Sequence, residues 1–506
     1  MVDNVEKLGI ARHFRDEIRS GDEEIYLDIY TRAMAFRLLR MNGYDISSDA
    51  LFETAEEDAL SNFMGGHAKS MRTVLELCKA SRILTSSNEL GLEKLHSWSS
   101  QFLKQKLSDG AILMDGLHKD ISDEVDYELK FPHYSNLERL YHRRNIERYN
   151  PCDYQILKTS YSASKKTILD FAAEDFKLCQ SVQRKELEHL ERWVKENRLD
   201  QLNFARQKLS YCYFSAAATL FSLDLSDARM AWAKNGVLTT VVDDFYDIGG
   251  SREELLNLIE LVERWDGNTA SDCCSKQVEI IFSVLYSTIN EIGANAFAYQ
   301  GRNVTHHLVE IWLALIKSMM RETEWLLDKF EPTLDEYMTN SYVSFALGPI
   351  VLPTLYLVGP KLPENVVRDP EYHELFKLMS TCGRLLNDLQ GFKREANEGK
   401  LNSVSLRMLH DHNITMEEAT TEMTSLVDTN RRELLRMVLQ TKGSIVPRAC
   451  KDLFWNMCRV LHLFYMRNDG FTSPKEMVTL YLKTVEGDVV GDHGGCANVA
   501  QSMFFR

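Results

Sequence analysis

The stretch Val237–Gly250 joins an apolar helical run to a cluster of acids, and it constrains the fold more than any other part of the chain. Apolar residues recur at helical spacing from Ala231 onward, and the run ends in Asp243, Asp244 and Asp247. Asp243 and Asp247 are one helical turn apart and therefore share a face. Carboxylates at a helix C-terminus meet the negative end of the helix dipole, which costs about 0.3–1 kcal/mol for each acid.

A bound cation would remove this electrostatic cost. Carboxylate oxygens with room for water are the ligands that Mg²⁺ prefers, and Mn²⁺ can substitute for it. The acids therefore predict a magnesium-binding helix with Asp243, Asp244 and Asp247 as ligands. The alternative interpretation is an acidic helix end that leads into a loop through Gly249 and Gly250.

A second helix carries a matching pattern between Arg384 and Glu395. Asn387, Gly391 and Glu395 follow one another at intervals of four residues and so lie on one helix face. Because Gly391 has no side chain, a water molecule can fill the middle ligand position. Arg384 lies one turn before Asn387 and offers a planar, bidentate donor to an anion. The two motifs together predict a site for a diphosphate held by Mg²⁺; the alternative for the second is an ordinary charged amphipathic helix.

These motifs, D-D-F-Y-D followed by N-D-L-Q-G-F-K-R-E, resemble the paired metal motifs of class I terpene synthases. The second motif usually has Ser or Thr where this chain has Gly391, so no direct side-chain ligand is expected there. The resemblance extends from about Val5 to about Val478. Three flanking segments are similar to plant ent-kaurene synthases and kaurene synthase-like diterpene cyclases: residues 43–48, 206–218 and 344–353.

The resemblance implies an all-α protein in which a class I terpenoid synthase helical bundle, the α domain, follows a partial helical β domain. Composition agrees, because 10 prolines and 25 glycines in 506 residues leave long stretches without helix breakers. Pro151 is the predicted boundary, with a β-type domain over residues 1–150 and the α domain over residues 151–506. The D-x-D-D acid motif of class II cyclases is absent from the chain, so cyclisation initiated by protonation is not predicted.

The resemblance also implies roles for residues outside the two motifs. Arg206 and Lys208 match an R-x-R pair that holds the departing diphosphate, although Lys208 offers a point charge where Arg would bind in a bidentate manner. Solvated charges on a helix face are the alternative for this pair. Asp469 belongs by resemblance to a loop that closes over the pocket.

The segment Ala346–Pro349 predicts a break in a buried helix, because Pro349 lacks an N–H and clashes with the carbonyl four residues back. Carbonyls freed near Ala346 and Leu347 would then face a reacting cation. By resemblance, Ile350 occupies the position after the break that influences where the cation is quenched. The alternative is a simple kink in the core.

The resemblance implies ionisation of ent-copalyl diphosphate to ent-kaurene or a related polycyclic diterpene, with the diphosphate neutralised by Arg206, Lys208 and Arg384. Aromatic walls would stabilise the cation without offering a nucleophile. Candidates for these walls, each of which could equally be plain core, are Phe214, Phe221, Trp232 and Phe345. Two alternatives remain: a prenyl chain-elongating synthase, which would carry a second aspartate-rich motif, and a non-catalytic helical binding protein derived from the enzyme.

Composition restricts the partners of the chain. A net charge of −15 without a basic stripe argues against nucleic acid. The uncharged stretch 341–360 is long enough to span a membrane, but its prolines predict an interrupted core helix instead. The first residues lack the character of a transit peptide; the resemblance implies the chloroplast, and the cytoplasm is the alternative. We expect a monomer or a weak homodimer.

Overall fold

The structure, a computed structural model, describes residues 6–10, 29–52, 67–85, 89–109, 119–148, 162–267, 271–467, 469–470 and 484–485. Within these ranges the chain is helical and contains no β-strand, so the all-α prediction is confirmed. The predicted domain boundary at Pro151 lies outside the described residues.

The N-terminal region consists of short helices with small cores of their own. One core surrounds Phe36 and another surrounds Leu103. The described helices of this region are α1 (Ile29–Met41), α2 (Asp49–Phe52), α3 (His67–Ser81), α4 (Leu90–Ser108), α5 (Lys119–Lys130) and α6 (Glu138–Glu147).

A larger bundle of longer helices follows and contains one continuous apolar core. Its first helices are α7 (Ser162–Glu196), α8 (Leu209–Thr219), α9 (Ser226–Asp244), α10 (Arg252–Arg264), α11 (Lys276–Gln300) and α12 (Thr305–Leu327). The others that the structure describes are α13 (Leu334–Ser344), α14 (Leu347–Thr354), α15 (Glu364–Val367), α16 (Pro370–Glu398), α17 (Ser403–His410), α18 (Met416–Leu439) and α19 (Arg448–Phe464).

Helix α9 lies at the centre of the bundle. Its residues are shielded from water on nearly every side, from Ala228 to Asp244. Helices α8, α11 and α14 pack around it. A helix that is buried on nearly every side needs neighbours all round. Helix α9 therefore carries its terminal acids from the core to the edge of the bundle.

Two helix ends affect the site. Helix α8 begins only at Leu209, so Arg206 and Lys208 precede it instead of lying on its face. Helix α13 ends at Ser344, because Ala346 adopts a left-handed backbone conformation with φ of 66°, and the break therefore lies within the predicted segment Ala346–Pro349. Apolar periodicity carries little information about such helix ends.

No helix within the described ranges is long and apolar enough to cross a membrane. The uncharged stretch 341–360 is divided between the end of α13, helix α14 and a 3₁₀ turn over Leu355–Leu357. Pro353 lies inside α14, where it removes one amide donor. The interpretation of this stretch as an interrupted core helix is confirmed.

The N-terminal helices pack directly on the bundle. The Arg139 guanidinium of α6 lies 3.6 Å from the ring centroid of Phe176 and 5.1 Å from that of Phe221. The His142 ring meets Phe221 edge-on, with a centroid separation of 5.1 Å. Phe221 therefore belongs to the contact between the two helical regions, which corrects the expectation that it walls a substrate pocket.

A buried ion pair joins α7 to α9. Arg229 donates from Nη2 to Oε1 of Glu186 at 2.6 Å and from Nε to Oε2 at 2.8 Å. Glu186 also accepts hydrogen bonds from Tyr213 Oη and Ser226 Oγ, each at 2.6 Å. Both charges are compensated, and loss of one partner would leave the other buried and unpaired.

We expect Glu186→Leu to lower the free energy of unfolding by about 3–5 kcal/mol, because Arg229 would remain buried without a counter-charge. Asp126→Ala is the matched control, since its ion pair with Lys130 is about half exposed and such pairs contribute about 0–1 kcal/mol. Urea unfolding followed by circular dichroism measures both losses. Equal losses in the two variants would contradict this account of the pair.

Candidate active site

The first acid cluster lies where α9 ends. Asp243 and Asp244 occupy the last turn of α9, and Asp247 lies on the wider π-helical turn Phe245–Gly249 that follows. Turns of this kind are frequent at functional sites. The side chain of Asp244 is only 6% exposed, whereas those of Asp243 and Asp247 are 42% and 41% exposed. Two carboxylates of the cluster are thus accessible to a ligand.

Arg206 compensates this cluster from the segment before α8. Its backbone N–H donates to Asp244 Oδ2 at 2.6 Å, and its Nε donates to Asp244 Oδ1 at 2.7 Å. Its Nη2 reaches Asp243 Oδ2 at 2.7 Å. The segment is held in place by the Phe204 ring against Gly249, where a Cβ atom would lie 2.6 Å from Phe204 Cδ2. Glycine is therefore required at the end of the acid motif.

The carboxylates perturb one another despite Arg206. Burial, followed by the charge of Asp247, raises the pKa of Asp243 to about 7. Burial also raises the pKa of Asp244. Asp243 remains accessible to water from one side, but protein surrounds it on the others, which is why burial dominates. Carboxylates that resist ionisation in this way gain free energy when a divalent cation binds them.

The second motif lies on α16. Asn387 Oδ1 accepts a hydrogen bond from Arg384 Nη2 at 2.6 Å, and Asn387 Nδ2 donates to Tyr465 Oη at 3.3 Å. Gly391 contributes no side chain, and Glu395 Oε1 occupies the space that a Cβ atom at Gly391 would need. The Glu395 carboxylate therefore folds back over Gly391, on the same helix face as the Asn387 amide.

Arg384 connects the second motif to the apolar interior. Its Nε donates to Asp388 Oδ1 at 2.6 Å, and its guanidinium carbon lies 5.4 Å from the Phe345 ring centroid. Burial disfavours its charge, but Asp388 together with Tyr337, Glu395 and Glu322 outweighs burial and raises the pKa of Arg384 well above its usual value. Arg384 is therefore a permanent cation at the edge of the apolar core.

A lysine bridges the two motifs. Gly399 ends α16 in a left-handed conformation with φ of 70°, and the chain then turns so that Lys400 Nζ reaches Asp247 Oδ2 at 2.7 Å. The two residues are 153 positions apart in the sequence. No sequence pattern signals this contact, and sequence reasoning missed Lys400.

Tyr465 lies between the same two elements and was also missed. It accepts a hydrogen bond from Asn387, and both Arg384 and Arg206 lie close enough for their charges to act on its hydroxyl. Burial nevertheless dominates and raises the pKa of Tyr465. The end of α9 and the second motif of α16 therefore lie close together, with Arg206 beside the first motif and Arg384 beside the second. The surface between the two motifs is called the cleft below.

Two further predicted residues lie near this cleft. Lys208 is the residue before the first turn of α8, and its ammonium nitrogen lies 5.0 Å from the Tyr211 ring centroid. Burial and the neighbouring charge of Arg206 lower the pKa of Lys208. Asp469 forms an ion pair of 3.4 Å with Arg394 and also attracts Lys208. Asp469 thus lies within electrostatic reach of a predicted diphosphate-binding residue.

The helix break differs in detail from its prediction. Ala346 precedes the first turn of α14, and Pro349 lies within that turn. A proline in the first turn of a helix removes no intrahelical hydrogen bond, so the left-handed conformation of Ala346, and not Pro349, interrupts the helix. Phe345 and Ile350 flank the break as partly buried side chains against the core.

The aromatic candidates separate by burial. Phe214 is 1% exposed and stacks on Phe464 with centroids 6.3 Å apart. Trp232 is equally buried, and its Nε1 donates to Ser215 Oγ at 2.9 Å. Both are core residues in this structure. Phe345, which is partly exposed beside Arg384, is the aromatic candidate that reaches an accessible surface.

The oxygen atoms of the two motifs are the potential Mg²⁺ ligands. In the parts of the chain that the structure describes, no group of three His, Cys, Asp or Glu side chains already forms a metal-binding cluster. The oxygen atoms of both motifs are instead paired with Arg206, Lys400, Arg384 and Asn402. Carboxylate and amide oxygens on two helices suit Mg²⁺, and the cationic partners would have to yield to it.

Family comparison agrees with the geometry. Residues 195–433 match the family described as "Terpene synthase family, metal binding domain". Residues 1–129 match "Terpene synthase, N-terminal domain". The first match contains both motifs and the helix break.

Curated relatives extend the likeness over nearly the whole chain. The chain is 57% identical over 494 residues to ent-kaurene synthase-like 1 of Ricinus communis, covering 95% of this chain and 66% of the relative. It is 55% identical over 493 residues to the chloroplastic ent-kaur-16-ene synthase of Oryza sativa subsp. japonica, covering 94% and 64%. The chain thus spans a little under two thirds of the length of these relatives.

Solved structures share the fold. Abietadiene synthase from Abies grandis superposes with a TM-score of 0.86 at 30% identity, covering 97% of this chain and 67% of that one. Isoprene synthase from grey poplar, in complex with three Mg²⁺ ions and dimethylallyl-S-thiolodiphosphate, gives 0.83 at 26% identity, covering 97% and 92%. With motifs, sequence and fold in agreement, this chain belongs to the terpene synthase family, as a plant class I diterpene synthase of the kaurene synthase-like group.

Proposed function

We propose that the chain is a Mg²⁺-dependent class I cyclase that converts ent-copalyl diphosphate to ent-kaurene or a related polycyclic diterpene and releases diphosphate. The observation that carries this proposal is the single cleft bordered by two oxygen-ligand motifs and by Arg206 and Arg384. The ent-kaurene synthases among the relatives support the substrate class. The three Mg²⁺ ions of the isoprene synthase complex support the cofactor.

Residues of both helices would hold the metal. The proposed oxygen ligands are Asp243, Asp244, Asp247, Asn387 and Glu395. Water would take the middle position at Gly391 once the Glu395 carboxylate, which lies over this glycine, turns to the metal. When bound, Mg²⁺ neutralises the diphosphate and makes it a better leaving group.

Arg206, Lys208 and Arg384 would bind the diphosphate oxygens. In the structure the Arg206 side chain donates to Asp243 and Asp244. Once these acids bind metal, the same donors can bind a phosphate oxygen instead of a carboxylate. Arg384 keeps its Nε on the buried Asp388 while its Nη2 atom faces Asn387. The Nη2 atom also forms an ion pair with Asp388, so this edge of the guanidinium is anchored beside Asn387.

Heterolysis of the allylic C–O bond would leave the electron pair on the departing diphosphate and a carbocation in the pocket. The Phe345 ring offers a π-face without a nucleophile, and the backbone carbonyls near Ala346 and Leu347, at the helix break, would offer dipoles to the cation. Loss of a proton from the final cation would yield the hydrocarbon. Ile350, on the first turns after the break, would shape the point at which the cation is quenched.

The chloroplastic names of relatives support a chloroplast location, with the cytoplasm as the alternative. A monomer or weak homodimer remains our expectation. A chain-elongating synthase is disfavoured because Asn387, Gly391 and Glu395 stand where a second aspartate-rich motif would be.

Incubation of the full chain with ent-copalyl diphosphate and Mg²⁺ should give a polycyclic diterpene hydrocarbon, detected by gas chromatography and mass spectrometry. Geranylgeranyl diphosphate should not be converted to copalyl diphosphate, because the D-x-D-D motif is absent. Elongated prenyl diphosphates formed with isopentenyl diphosphate would indicate a chain-elongating synthase. Absence of turnover with every candidate diphosphate would favour a non-catalytic binding protein.

Asp243→Ala should lower turnover at least 100-fold while leaving the melting temperature nearly unchanged or slightly raised. The reason is that an acid at a helix C-terminus is electrostatically unfavourable, and here Asp247 adds repulsion. Asp328→Ala is the matched control, because Asp328 is an exposed acid at the end of α12. Unfolding of Asp243→Ala would instead support a structural role.

Ile350→Thr should keep comparable consumption of ent-copalyl diphosphate but shift the product from a tetracyclic to a tricyclic hydrocarbon. The hydroxyl dipole would stabilise an earlier cation or direct its deprotonation, at a stability cost of about 1–3 kcal/mol if it finds no partner. Ile350→Val is the matched control, since it shortens the side chain without adding a hydroxyl. An unchanged product profile at normal turnover would show that Ile350 does not face the reacting cation.

A further inference from the structure

A second polar layer lies behind the metal motif of α16. Asp388 is completely buried, yet its carboxylate accepts hydrogen bonds from Tyr337 Oη at 3.1 Å, Arg384 Nε at 2.6 Å and the Ser403 backbone N–H at 2.9 Å. These donors come from α13, from α16 itself and from the start of α17. A carboxylate at this depth requires such compensation, and the layer therefore holds three elements in one arrangement.

Asn402 extends this layer to the metal-binding face. It is completely buried, and its Nδ2 donates both to the backbone carbonyl of Asp388 at 3.0 Å and to Glu395 Oε2 at 2.7 Å. Its Oδ1 accepts from the Val404 N–H at 2.9 Å and caps α17. The backbone N–H of Val404 needs an acceptor, so the side-chain oxygen of Asn402 must face Val404. The side-chain NH₂ of Asn402 must then face Glu395 and the Asp388 carbonyl.

The route of the chain explains how Asn402 reaches this place. Gly399 ends α16 with φ of 70°, a left-handed conformation that favours glycine. The chain then doubles back, so that Asn402 lies beside the last turns of the helix it has just left. Lys400, on the same turn, faces outward to Asp247. One short connection thus contacts both acid motifs.

We infer that Asn402 is a positioning residue, which orients the Glu395 carboxylate towards the cleft through its Nδ2 hydrogen bond. This inference rests on the proposed function, because it takes Glu395 as a Mg²⁺ ligand. An outer partner that holds a ligating carboxylate in one rotamer reduces the ordering that metal binding requires. Cap formation on α17 is a separate role of the same side chain, served by Oδ1 alone.

The two roles can be separated by substitution. Asn402→Ser keeps a good helix cap, but its hydroxyl is too short to replace the Nδ2 contact with Glu395. Asn402→Asp keeps size and cap but places an acceptor against Glu395 and the Asp388 carbonyl. Thr415→Ala is the matched control, because it removes a side-chain cap from α18 without touching the cleft.

The probe is Mg²⁺ titrated into the full chain with saturating inorganic diphosphate, followed by calorimetry and by the rise in melting temperature. We expect Asn402→Ser to weaken Mg²⁺ binding about 10–100-fold, which is the usual effect of removing an outer partner of a metal ligand. Asn402→Asp should bind Mg²⁺ more weakly still. Thr415→Ala should bind like wild type. With ent-copalyl diphosphate, the Mg²⁺ concentration for half-maximal rate should rise by the same factor for Asn402→Ser.

A coupling measurement keeps the inference testable if a variant loses stability. In a Glu395→Ala background, Asn402→Ser should change Mg²⁺ affinity less than twofold, because the contact it removes is already absent. The inference would be overturned if Asn402→Ser bound Mg²⁺ with wild-type affinity, or if this substitution changed Mg²⁺ affinity equally with and without Glu395. Asn402 would then act only as the cap of α17. Failure of the wild-type chain to bind Mg²⁺ with diphosphate would overturn the proposed function together with it.

Discussion

Compensation of carboxylate charge inside a helical bundle is the interaction on which this structure depends. Glu186 joins α7 to α9 through Arg229, and Asp388 joins α16 to α13 and α17 through Arg384, Tyr337 and Ser403. Each of these charges would be costly alone, because a buried ion cannot be solvated. Each has enough donors to be tolerated, and the donors come from different elements. The helices are therefore held in register by the same contacts that make the buried charges possible.

Exposure separates the pairs that build the scaffold from those available for exchange. Asp388 is inaccessible to water, whereas the pairs of Arg206 with Asp243 and of Lys400 with Asp247 have side chains that are about 40% exposed. Exposed pairs are weak and can yield to a divalent cation and a diphosphate at little cost. Buried ion pairs thus hold the helices behind the cleft in place, whereas exposed ion pairs at the cleft can be replaced by ligands.

Much of the fold could be predicted because apolar periodicity reports which side of a helix is buried. The all-α architecture and the break within Ala346–Pro349 agree with the prediction. The start of α8 could not be located, because helix ends depend on local backbone conformation rather than on periodicity. Arg206 consequently lies on an irregular segment, where its backbone N–H as well as its side chain meets Asp244.

Family membership and the two motifs follow from the sequence alone. Helical spacing dictates which side chains of one helix share a face, and this places Arg384 beside the second motif. Arg206, on a separate segment, was assigned by resemblance. Tertiary structure decided the rest. It placed Phe221 against the N-terminal helices and brought Lys400 to Asp247, Tyr465 to Asn387 and Asn402 to Glu395. Most of these contacts join residues far apart in the chain, and all depend on where helices end and how the connections turn, which no periodic pattern encodes.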